Sequence, residues 1–329
     1  MTKQIEEINR VTNTSTPSTT STKKVLSKIT NTLQGYKANR YLFLIFTPVI
    51  VWYFIFCYIP MYGVTLAFKD YNLVKGIFRS PWVGLDNFKL MFSGHSFPQV
   101  FKNTLAISVW KLVVGFPAPI ILAILLNEIR FQKFKKITQT ISYLPHFVSW
   151  VILGGIFAQI LSPSIGPIGY IMRNLGMRPI NFLGDQHWFR TVLVLTSLWK
   201  GIGWGSIIYL ASIAGINQEL YEAAIVDGAS RFQQVIHVTL PALVPVVTIL
   251  FILNIGSIIS DDFDQIFNLY SPVVYNVADV ISTYTYRMGL VDMNYSYATA
   301  VGLFRNIISF TLIIVTNAIV KRMSEYTIW

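Results

Sequence analysis

The chain holds one cysteine, Cys57, in 329 residues. A single thiol inside an apolar run excludes an internal disulfide and offers no cysteine cluster to a metal. Charge is scarce as well. Asp, Glu, Lys and Arg make up 12% of the residues, about half the share expected of a soluble domain. Acidic residues are the rarer sign, 15 against 26 basic ones. The chain has no G-x-x-x-x-G-K-[ST] loop, so it does not bind ATP in that way. No Ser-His-Asp or His-Glu-x-x-His arrangement is recognisable, which argues against an intramembrane enzyme. His146 has no second His or Cys at metal spacing and reads as a helix-packing residue.

Hydrophobic residues fill the space that charge leaves. They form 53% of the chain, and the mean hydropathy is +0.53. Six segments are long enough to cross a bilayer: 41–68, 103–127, 138–162, 191–214, 240–259 and 298–320. The runs are continuous, without the alternation of a barrel strand, so the expected fold is all-α with six transmembrane helices. Pro48, Pro117, Pro119, Pro145 and Pro245 lie inside these runs and predict kinks.

The net charge of +11 does not point to nucleic acid, because of where it sits. Basic residues gather before residue 41, in Arg130, Lys133, Lys135 and Lys136, and in Lys321 and Arg322 after the last run. Basic loops mark the cytoplasmic face, which puts both termini inside. The 69–102 loop also carries five basic residues, but it is long enough to count for less. The first hydrophobic run is too long for a cleaved signal, and a tail of about forty residues precedes it. Residues 12–22 are almost all Thr, Ser, Asn and Pro, so residues 1–40 read as a disordered basic tail and 41–329 as the membrane domain. Trp82, Phe88, Phe92, Trp188 and Tyr270, in the longer loops, suit a docking surface or an interfacial belt.

One polar, helix-forming segment, 215–239, stands between two long hydrophobic runs. It carries Glu222-Ala223-Ala224, Asp227, Gly228 and Ile236, and Leu240-Pro241 follows. The alanines permit close packing, Gly228 permits a sharp bend, and Glu222 offers a charge to a partner. In order and spacing these residues resemble the coupling signature of type I ABC-importer permeases. Tyr143 to Trp150 (YLPHFVSW), Gly84-Leu85-Asp86-Asn87-Phe88 and Leu198-Trp199-Lys200 are similar to the carbohydrate branch that takes up oligosaccharides from polysaccharide breakdown. The resemblance covers roughly residue 40 to the end. It implies a multi-pass permease of a bacterial cell membrane, with no cofactor of its own and with ATP and Mg held on a partner. The implied partners are a second homologous permease, two ATPase subunits and an extracellular solute-binding lipoprotein. The segment 222–241 would then sit in a groove of the ATPase.

Ionisable groups inside a span are costly and usually face the bundle interior or water. Lys111, Lys200 and Arg305 occur at similar depth on spans two, four and six, and Asp261, Asp262 and Asp264 follow span five. A cationic ring along a path for acidic sugars is one reading; structural ion pairs or snorkelling side chains are the other. Trp199, Trp204, Tyr209, Asn254, Asn306 and Asp261 add the rings, amides and carboxylate that sugars need, and each also has an ordinary packing role. Two further functions remain open on the residues alone. A permease of the same kind would carry a non-sugar solute, and a proton-coupled carrier would use one of the three aspartates.

Overall fold

A computed structural model describes residues 40–256, 258–259 and 262–323. The tail ahead of Arg40, and Asp261, lie outside the described residues. The described chain falls into two units, one ending at Gly63 and the other beginning at Val64. The helix that starts at Arg40 makes up the described part of the first unit and continues to Phe68 (α1, Arg40–Phe68), with Pro48 within it. Its large apolar side chains from Tyr41 to Met61 are exposed, as a lipid-facing helix requires.

The second unit is built from α2 (Ser96–Glu128), α3 (Gln132–Phe147), α4 (Trp150–Ile160), α5 (Phe189–Ala214), α6 (Gln218–Val226), α7 (Arg231–Gly256), α8 (Phe263–Leu269) and α9 (Tyr295–Met323). Helices α1, α2, α5, α7 and α9 are each long and apolar enough to cross a membrane. The third span differs from a straight 138–162 helix. It is the pair α3 and α4, bent by 103° at the break between Phe147 and Trp150. Pro145 sits in the last turn before that break, and the Ser149 hydroxyl caps α4 by accepting from the Ile152 amide.

In lipid the apolar effect does not drive helices together, so close contact has to do so. Gly203 on α5 meets the backbone carbonyl of Ser142 so closely that a Cβ there would stand 2.0 Å from the oxygen. Three clusters run along the bundle. Ala123, Tyr209, Ile213 and Leu243 close the end near Glu222. Ile107, Phe189, Leu193, Ile266 and Leu269 join α2, α5 and α8 towards the other end. Phe97, Val100, Tyr284, Tyr297 and Val301 join α2 to α9.

Candidate functional site

The segment between α5 and α7 carries local signals for each of its turns. Asn217 caps α6 by accepting from the Glu219 amide. The helix then ends in a reversal in which the Ala229 amide donates to Ala224 O at 2.9 Å and the Gly228 amide to Ile225 O at 3.0 Å. That pattern needs a residue in the left-handed region, and Gly228 has φ +79°. Ser230 and Gln233 form a reciprocal cap at the start of α7. The helix widens over Val235–Thr239, just before Pro241, which has no amide hydrogen to give. Tyr221 and Thr239 share a hydrogen bond of 2.8 Å that ties α6 to α7. Glu222, Ala223, Asp227 and Gly228 are exposed, as are Leu220, Ile225, Val226, Phe232, Ile236 and Leu240. A short helical hairpin therefore presents an apolar face with a carboxylate beside it, which is the chemistry of a docking element.

Inside the bundle, a cavity of about 280 Å³ lies among α2, α5 and α7, between the Ile107 and Ala123 clusters. Ser108, Lys111, Ser197, Asn254 and Asp262 supply its polar lining, and Phe116 contributes a ring. Lys111 Nζ lies 2.8 Å from Asp262 Oδ2 and donates to Gln265 Oε1 at 2.5 Å. Gln265 is buried and its amide donates to Leu193 O and Thr196 Oγ1, which fixes it against α5. The carboxylate and the amide oxygen together meet the largely covered Lys111 ammonium.

Of the charged and polar residues singled out from sequence, Lys111, Asn254 and Asp262 line this cavity. Lys200 faces the break of the third span: Nζ donates to His146 O at 2.7 Å, Val148 O at 2.6 Å and Pro145 O at 3.3 Å. It also lies 5.6 Å from the centre of the Trp150 ring. Trp204, one turn on, stacks on the His146 imidazole at 4.5 Å, and Trp199 meets Phe157 edge to face. Tyr209 is buried in the cluster near the Glu222 end. Asn306 lines a separate groove beside Tyr286 and Leu290, and Arg305 is half-buried on α9. Lys111, Lys200 and Arg305 thus have different surroundings. Sequence reasoning missed Ser108, Ser197 and Gln265, whose only signal is polarity within apolar runs.

At the end away from Glu222 a second polar cluster holds the connection between α8 and α9. The buried Asp279 pairs with Arg287 and accepts from the Thr283 hydroxyl. Arg190 and Asn103 bind the carbonyls of Val277 and Asn276 respectively. Burial works against the Arg287 charge, but the hydrogen bond and charge of Asp279 outweigh it and hold the guanidinium above its ordinary range. Burial first, then the hydrogen bond with Tyr275, pushes the Tyr270 hydroxyl up to about 12.

A family described as "Binding-protein-dependent transport system inner membrane component" matches residues 115–325. Over 293 residues the chain is 42% identical to the protein LplB of Bacillus subtilis (strain 168), covering 89% of this chain and 92% of that one. It is 40% identical over 291 residues to the polygalacturonan/rhamnogalacturonan transport system permease protein YteP of the same organism, covering 88% and 91%. Among solved structures, a chain of a bacterial ABC transporter involved in the import of the acidic polysaccharide alginate superimposes with a TM-score of 0.84. That chain is 39% identical, with 90% of this chain and 100% of that one covered. A second structure, an alginate ABC transporter in complex with an alginate pentasaccharide-bound periplasmic protein, gives a TM-score of 0.83 at 38% identity, covering 90% of this chain and 99% of that one.

Proposed function

The chain belongs to the family of binding-protein-dependent transport system inner membrane components, and on that premise we propose that it is the permease of an ATP-driven importer of acidic oligosaccharides. Its cargo is a short uronate-containing product of polysaccharide breakdown. The observation that carries this reading is the joint similarity to a polygalacturonan/rhamnogalacturonan permease and to an alginate importer. The cavity supports it chemically, since the lining pairs an ammonium with hydroxyls and an amide. Membership of the family sets aside the proton-coupled carrier.

The permease hydrolyses no ATP itself. It works beside a second homologous permease and two ATPase subunits that hold ATP and Mg, and it receives cargo from an extracellular solute-binding lipoprotein. The exposed hairpin around Glu222 and Gly228 docks on one ATPase. Both termini face the cytoplasm, and the basic residues Arg130, Lys133, Lys135 and Lys136 between the second and third spans support that orientation. Asp261 remains a candidate for the path on sequence grounds, as do Lys111 and Asn254.

The test is reconstitution of the full transporter in proteoliposomes with its solute-binding protein. Oligogalacturonate or a related uronate oligomer should stimulate ATP hydrolysis and accumulate in the lumen. Failure to assemble with an ATPase, or stimulation by neutral oligosaccharides alone, overturns the proposal.

A further inference from the structure

Among the described residues that line the cavity, Lys111 and Asp262 are the only charged ones. The two partners of the Lys111 ammonium are held very differently. Gln265 is fully buried and anchored through its own amide to Leu193 O and Thr196 Oγ1. Asp262 is only half covered: its side chain is 53% exposed against 17% for Lys111. It stands at the start of α8, yet its carboxylate makes no cap to that helix. The ion pair is thus its one described anchor.

An ammonium within a span is costly unless polar groups meet it, and here Asp262 supplies a counter-charge. A cargo carboxylate entering the cavity can take over that role. The exchange conserves the number of ion pairs, Gln265 continues to hold the ammonium, and the released Asp262 turns to the solvent it already touches. A neutral sugar has no means of opening the pair. We propose that Asp262 is an internal surrogate for the cargo carboxylate, neutralising Lys111 between transport events and yielding it to a uronate during passage. This rests on the acidic-cargo reading above.

The experiment compares uptake of tetragalacturonate with that of its methyl-esterified form by the complete reconstituted transporter, alongside membrane abundance. Lys111→Gln should raise the half-saturating concentration of the acid about tenfold while changing that of the ester by less than about twofold. Asp262→Asn should move the acid the other way, lowering its half-saturating concentration about fivefold, because the internal competitor is gone.

The opposite result for Asp262→Asn overturns the proposal, whether as a loss of acid uptake equal to that of Lys111→Gln or as disappearance from the membrane. Full recovery of acid uptake in the exchanged pair Lys111→Asp/Asp262→Lys also overturns it, because a merely structural pair works in either direction. If the wild-type protein takes up the ester alone or neither compound, the acidic-cargo reading falls whatever the variants do.

Discussion

The Lys200 ammonium on α5 donates to the carbonyl oxygen of His146, 54 positions earlier in the chain, at 2.7 Å. The break in the third span is therefore held by a side chain of the fourth. The carbonyls of a helix end need donors from elsewhere, and Lys200 supplies three hydrogen bonds, two to the last turn of α3 and one to Val148 in the break.

Lys200→Met should leave those carbonyls without their donor, at about 1–3 kcal/mol, and lower membrane abundance severalfold. Lys200→Arg should restore most of it, since a guanidinium also donates to several oxygens. Neutralising Asp262 should not rescue Lys200→Met. Quantitative immunoblotting and thermal aggregation in detergent would check this, and normal abundance of Lys200→Met would refute the holding role.

Gly203→Val should be worse. The Ser142 carbonyl leaves no space for a Cβ at position 203, whereas nothing lies within 4 Å of one at Gly155. Gly203→Val is expected to lose the folded protein, and Gly155→Ala to keep it. Equal melting temperatures for the two variants would show that the α3–α5 approach is not needed.

Gly228→Pro and Glu222→Arg should reach the membrane in normal amount yet lose cargo-stimulated ATP hydrolysis. Proline cannot adopt the φ of +79° that closes the reversal after α6, and arginine reverses the charge offered to the ATPase. Gly228→Ala should be milder, with strain of about 1–2 kcal/mol. Full transport by Gly228→Pro with normal ATPase assembly would remove the coupling role.

The membrane orientation can be read from single cysteines. With Cys57 replaced by serine, an impermeant thiol reagent added to intact cells should label Asn276→Cys and miss Gly228→Cys. Both positions are exposed, so the difference reports the side of the membrane. Labelling at 228 from outside would invert the topology.

Much of the fold is legible in the chain because the bilayer reads it locally. A span needs only length and little charge, and 41–68, 103–127 and 191–214 meet that test without reference to their neighbours, the last two with a single lysine each. The 215–241 segment is equally legible, since Asn217, Gly228 and the Ser230–Gln233 pair each act within a few residues of themselves. Pro145 announces a kink, but its size does not follow from Pro145 alone. The 103° bend also depends on Lys200, Gly203 and Trp204, which α5 brings to it from more than fifty residues away.

The same limit applies to the charges. From sequence, Lys111, Lys200 and Arg305 look alike: a cation in an apolar run at similar depth. Tertiary structure alone separates them, because the direction a side chain faces decides what meets it. Lys111 turns to the start of α8 and finds Asp262, 151 positions on; Lys200 turns to a broken helix and finds carbonyl oxygens. A charge in a span must be met, and that requirement is written in the residue type. Which group meets it depends on the packing of helices distant in sequence.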